Sequence, residues 1–221
     1  MDAREAEEHV HPRFCPWISS FELFEDKETR TVEFDYVKLL ERGNTCAIFL
    51  VRRKDEGRKP AVVKFVRRYN ADAHRFMADQ GLAPALIHYG ELGGGYATDL
   101  RIVVMDHVVG RTLHEIHGEG GDLPDNVKSA IRNELMQLND RGFIFPDLRW
   151  PNVMMTTTAA ATADDGDMKG RLRFIDLDWV CEKDKGMRYP LHLTQVLREK
   201  AGAKDYDVIT LEHQKNLFEN L

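Results

Sequence analysis

The chain has 221 residues, enough to bury a substantial core either as one large domain or as two small lobes sharing a cleft. Its 31 Lys and Arg stand against 37 Asp and Glu, a formal charge of -6, which excludes the overall electrostatics of a nucleic-acid binder despite local basic clusters such as VRRK and FVRRY. The cysteines, Cys15, Cys46 and Cys181, are odd in number, far apart and in no C-x-x-C spacing, so neither a disulfide framework nor a zinc site is indicated and a reducing compartment fits.

The start, MDAREAEEHVHPRF, is charged and has no apolar h-region, and no run approaches the length of a membrane span. A cytoplasmic protein without a membrane partner is expected. From Thr31 to Tyr69 the chain is rich in Val, Phe, Ile and Tyr and is broken at Gly43-Asn44 and at KDEGRKP, the pattern of consecutive antiparallel strands. NADAHRFMADQG then predicts a helix, with Asn70 as cap, Ala73, Phe76 and Met77 as its apolar side and Gly81 at its end. APALIHYGEL and LRIVVMDHVVG read as two more strands. In LPDNVKSAIRNELMQLNDRG, Val127, Ile131, Leu135 and Leu138 recur with helical spacing between Pro124 and Gly142. VMM and RLRFID read as short strands joined by TTTAAATADDGDMKG, too small and polar to bury anything and therefore a loop. A strand-rich half thus precedes a helix-rich half, with a linker near Met105 to Gly110.

The candidate chemistry begins at FPDLRWPNVMM. Asp147 to Asn152 fits D-L-x-x-x-N, the core of the protein-kinase catalytic loop, and follows the long helix directly, where that loop belongs. Phosphoryl transfer needs a carboxylate to orient an attacking hydroxyl and accept its proton, and a neutral oxygen nearby to help hold magnesium. Asp147 and Asn152 supply these groups; an Asx turn at Asn152 is the plain structural alternative. In RLRFIDLDWV an apolar strand ends in Asp176-Leu177-Asp178. Asp176 is the candidate metal ligand, while a D-x-D glycosyltransferase motif and a strand ending in solvated acids remain open. In AVVKFV, Lys64 lies amid apolar neighbours, a costly place for an ammonium unless an anion such as phosphate meets it; an edge strand with the ammonium in solvent is the alternative.

YNADAHRFMADQGLAPALIHYGEL, VVMDHVVGRTL, FPDLRWPNV and FIDLDWV together resemble the protein-kinase-like superfamily, toward the atypical branch that includes aminoglycoside and choline phosphotransferases and small fungal kinase-like proteins. The resemblance runs from about Phe34 to Tyr189. It implies an α+β, two-lobed fold: residues 1–104 form an N-terminal lobe with an antiparallel sheet and one main helix, 105–110 a hinge, and 111–221 a reduced helical C-terminal lobe. It also implies roles. Lys64 would bind the nucleotide phosphates and pair with Asp72, with Asp79 as the rival acid; Gly43 and Asn44 would be what is left of the glycine-rich loop. Met105 would stand at the gatekeeper position, with the backbone of Asp106 and Val108 facing adenine. Asp147 and Arg149 would be catalytic, Arg149 where many protein kinases carry a lysine that contacts the transferred phosphate, and Asn152 and Asp176 would hold magnesium.

The chain also departs from the kinase pattern. Gly43-Asn44 is thin for a phosphate-cradling loop, Phe145-Pro146 replace the histidine before the catalytic aspartate, Asp176-Leu177-Asp178 replaces D-F-G, and no A-P-E segment follows. The stretch after Asp176 is short for a peptide-binding platform, so substrate recognition is expected to be minimal or borrowed from a partner protein. The expected activity is an ATP- and magnesium-dependent phosphotransferase acting on Ser or Thr of a protein. A nucleotide-binding pseudokinase and a phosphotransferase acting on a small-molecule alcohol are the alternatives.

Overall fold

The computed structural model describes residues 17–25, 27–42, 47–92, 99–118, 121–157 and 170–221. In chain order its elements are β1 (Ser20–Glu25), β2 (Glu28–Arg42), β3 (Ala47–Arg53), β4 (Pro60–Val66), α1 (Ala71–Asp79), β5 (Leu86–Glu91), β6 (Arg101–Asp106), β7 (Gly110–Thr112), α2 (Leu113–His117), α3 (Asp125–Asp140), β8 (Phe143–Ile144), β9 (Val153–Thr156), β10 (Leu172–Phe174), β11 (Cys181–Glu182), α4 (Gln195–Glu199) and α5 (Leu211–Glu219). They form two compact units. The chain up to Arg68 with Ala85–His107 makes the first, and Tyr69–Pro84 with Val108–Leu221 the second. The segment Tyr69–Pro84, which the sequence division places with residues 1–104, belongs to the second unit because Ala73, Met77, Leu82 and Ala83 pack into that unit's core.

The first unit is a six-stranded sheet in the order β1-β2-β3-β4-β6-β5, antiparallel at every pairing. Alternation along the strands sends Phe34, Phe49, Val51, Ala61, Val63, Phe65, Ile102 and Val104 into one core. Tyr36 stacks edge-on against Phe34 and Phe49 at ring separations of 5.3 and 5.2 Å, and its hydroxyl donates to Ile18 O at 2.8 Å. β4 is an interior strand: Lys64 lies opposite Ile48 of β3 on one side and Val103 of β6 on the other. The edge-strand reading of Lys64 is therefore overturned.

In the second unit Asn70 Oδ1 accepts the amide of Ala73 at 3.0 Å and so caps α1, which gives way to a turn at Gly81 with φ +72°. Buried His74 donates from Nε2 to Pro84 O at 2.7 Å, and its Nδ1 meets the Tyr69 hydroxyl at 2.6 Å. Val127, Ile131, Leu135 and Leu138 of α3 are all buried, as their spacing predicts. A three-stranded sheet, β10-β9-β7, and the short pair β11-β8 complete the frame, and Leu82 O accepts the amide of Phe174 at 2.6 Å.

Gly110 marks the tightest backbone approach in this unit, since a Cβ there would overlap the carbonyl of Met155 on the paired strand β9. That neighbour is backbone and cannot swing away. Gly110→Ala is expected to cost about 2 kcal/mol or more in urea denaturation. Gly118→Ala, at φ +72° with open space around it, is expected to cost about 1 kcal/mol from backbone strain alone. Equal losses at the two positions would contradict the close-approach reading.

Candidate active site

The loop from Phe145 to Asn152 is held at both ends by apolar packing. Before it, Ile144 pairs with Cys181 across β8 and β11, and the Phe145 ring lies 5.5 Å from that of Phe174. The Phe145 amide donates to Gln214 Oε1 at 2.7 Å, and Gln214 Nε2 reaches Asn139 Oδ1 at 3.2 Å, so α5 clamps the loop against the end of α3. After it, Trp150–Asn152 make a single 3-10 turn with Pro151 near its start, and β9 begins at once. β9 pairs with β10 in the register Val153 to Phe174, and Ile175 N donates to Asn152 O at 2.9 Å. Asp176 is thereby fixed one residue from the Asn152 backbone.

Asp147 is 8% exposed and Asn152 is 4% exposed. Asn152 Nδ2 donates to the Asp147 carbonyl at 2.9 Å and to its Oδ2 at 3.0 Å. The amide thus reaches back five residues instead of closing an Asx turn on its own backbone, and this leaves Oδ1 as the group it can offer to a cation. Arg149 Nε lies 3.1 Å from Asp147 Oδ1 and 3.2 Å from Oδ2. Burial still dominates and pushes the Asp147 carboxyl up to about 7. The Arg149 charge opposes this, the Asp176 charge adds to it, and the bonds from Asn152 and Arg149 oppose it again.

Asp176 adopts left-handed backbone angles, φ 59° and ψ 60°, uncommon for a residue with a side chain. Such strain persists only where its surroundings enforce it, and here buried Leu177 and Phe174 pin both sides. Asp176 and Asp178 are half-buried, so the strand does not end in fully solvated acids. Among the described residues no group of three or more His, Cys, Asp or Glu is placed to hold a metal ion. Asn152 and Asp176 both carry side-chain oxygens of the type that hard cations take as ligands.

Asp147, Arg149, Asn152 and Asp176 are therefore gathered within the second unit. Val108 also lies in this unit, half-buried just before β7. Asp72 and Asp79 lie on α1, both exposed; the Asp72 carboxylate is 87% exposed and takes a 3.0 Å bond from Arg75. In the first unit Lys64 is 1% exposed, on the face opposite Ala61, Val63 and Phe65. Met105 is buried on β6, and Asp106 ends that strand with its amide already given to Ala85 O at 2.9 Å. Gly43 and Asn44 lie outside the described residues. Gln214 is a positioning residue that sequence reasoning missed, because a glutamine in a polar C-terminal helix carries no sign that it faces a loop 69 residues earlier.

No family model matches the chain, and no curated protein matches its sequence. In three dimensions it is similar to the Cydia pomonella granulovirus kinase PK-1, with a TM-score of 0.57 at 18% sequence identity. The chain has a protein-kinase-like fold. The likeness covers 84% of this chain and 65% of the viral kinase, so the chain spans a little under two thirds of that protein's length.

The raised carboxyl of Asp147 makes stability pH-dependent. Its proton is held more tightly in the folded than in the unfolded protein, so the stabilisation it gives is complete in acid and is lost as pH rises from about 4 to about 7. In metal-free protein, Asp147→Asn is expected to gain on the wild type by about 2.5 kcal/mol between pH 5 and pH 8 in urea denaturation. A gap that is the same at both pH values would contradict the burial of an ionisable carboxyl here.

Proposed function

We propose that this protein is an ATP- and magnesium-dependent phosphotransferase of the cytoplasm. The observation that carries the reading is the buried Asp147 carboxylate, bonded by Asn152 and electrostatically coupled to the strained Asp176. A carboxylate whose pKa lies near neutrality can take a hydroxyl proton at neutral pH. Asp147 orients the acceptor alcohol and receives its proton, and Arg149 contacts the transferred phosphoryl group. Asn152 Oδ1 and the Asp176 carboxylate are the groups that would hold magnesium, which when bound supplies charge neutralisation at the phosphates. Lys64, buried on an interior strand, would meet the α and β phosphates with Asp72 as its partner acid, and the Asp106 and Val108 backbone would face adenine beside Met105. The acceptor is a Ser or Thr hydroxyl of a protein, brought by a partner surface, with a small-molecule alcohol as the rival.

One observation favours a second reading, nucleotide binding without turnover. Arg149 lies within about 3 Å of both carboxylate oxygens of Asp147, a bond that has to open before the base can serve an acceptor.

Autophosphorylation and hydrolysis of γ-labelled ATP separate these readings. The wild type is expected to transfer label, and Asp147→Asn to lose about 100-fold or more in turnover with ATP binding kept. Asp176→Asn is expected to abolish the extra thermal stabilisation that magnesium adds to ATP. Lys64→Ala and Asp72→Ala should weaken nucleotide binding more than Asp79→Ala. Stabilisation by Mg-ATP without transfer would select the non-catalytic reading, and no thermal shift at millimolar Mg-ATP in folded protein would sink both.

A further inference from the structure

Asn139 lies half-buried in the last turn of α3, and hydrogen bonds from three directions converge on it. Its side-chain Oδ1 accepts Gln214 Nε2 at 3.2 Å, while its backbone carbonyl accepts the Gly142 amide at 2.9 Å and the Lys183 ammonium. Lys183 follows β11 directly and gives its own amide to Gly142 O at 2.8 Å. The end of α3 is therefore a fixed point in this unit.

Gln214 is 3% exposed, and its Oε1 accepts the Phe145 amide at 2.7 Å. A backbone N–H can only donate, and a glutamine side chain carries one oxygen and one NH2 group. The Gln214 oxygen must therefore face Phe145, which turns the NH2 group toward Asn139, and Asn139 Oδ1 is the acceptor that meets it. Were the Gln214 amide turned over, NH2 would face N–H and the buried Phe145 donor would go unsatisfied. The side chain at position 139 thus selects the orientation of Gln214. The next residue, Pro146, has no N–H to anchor and a ring that fixes its φ, so the Phe145 amide is the last anchor before Asp147 and its position is passed on with little slack.

We propose that Asn139 is a positioning residue for phosphoryl transfer, acting through Gln214 on the backbone that carries Asp147. The proposal rests on the phosphotransferase reading. Asn139→Leu removes the acceptor at similar volume, whereas Asn139→Asp keeps an oxygen in its place. With γ-labelled Mg-ATP as probe, at a temperature where every variant is folded, Asn139→Leu is expected to lose about tenfold in kcat for autophosphorylation and hydrolysis with KM for ATP unchanged, and Asn139→Asp to stay within about twofold of the wild type. The double variant Asn139→Leu/Gln214→Leu is expected to fall no lower than Gln214→Leu alone, since both changes break one path to the Phe145 amide. Gly118→Ala, strained outside this path, is expected to keep the wild-type kcat, which separates positioning from loss of stability. Full turnover in Asn139→Leu, equal losses in the Leu and Asp variants, or a double variant that falls by the product of the single losses would overturn the proposal and leave the phosphotransferase reading standing. A wild type that binds Mg-ATP but transfers nothing removes both.

Discussion

Burying a carboxylate in an apolar core is unfavourable unless its surroundings compensate, and the second unit is organised around one such group. Asp147 sits between Phe145 and Leu148, each 1% exposed, with Asn152 and Arg149 bonded to its oxygens. These bonds offset only part of the burial, so the carboxyl titrates near neutrality instead of near 4. A residue so placed would be replaced without loss by an apolar one if stability alone mattered. On the proposed phosphotransferase reading, holding and releasing a proton at neutral pH is the reason for a carboxyl there.

The rest of the unit fixes this carboxyl in place. Three short strands and a single 3-10 turn set Asn152 beside it, and the register of β9 with β10 brings Asp176 close enough for its charge to be felt. From the other side Gln214 holds the Phe145 amide. Precision comes from the hydrogen-bonded frame more than from any one strong contact, as the proposed phosphotransferase reading requires.

Much of this was legible in the sequence where periodicity and packing agree. The spacing of Val127, Ile131, Leu135 and Leu138 fixed α3, and the Asn70 and Gly81 signals bounded α1, because local capping and burial act on the same residues. The D-L-x-x-x-N and strand-Asp motifs placed Asp147, Asn152 and Asp176 near one another for the same local reason: two short paired strands follow the loop. Other features depend on distant partners. β1 was missed because Phe21 and Leu23 alternate within a stretch dense in charges, and their burial is decided by pairing with β2. α5 was missed because its buried face includes Gln214, a polar residue explained only by the Phe145 amide it receives. The grouping of α1 with the second unit follows from Ala73 and Met77, which share one buried core with residues far along the chain.

The balance of forces on Asp147 can be measured at the atom concerned. Carbon-13 labelling of the aspartate side chains, with Asp147 assigned from the Asp147→Asn spectrum, follows its carboxyl through a pH titration in metal-free protein. A midpoint near 7 in the wild type, moved to lower pH in Asp176→Asn because a neighbouring negative charge is gone, is the expected result. A wild-type midpoint near 4, in the ordinary range of a solvated aspartate, would contradict the buried, poised carboxylate on which the site is built.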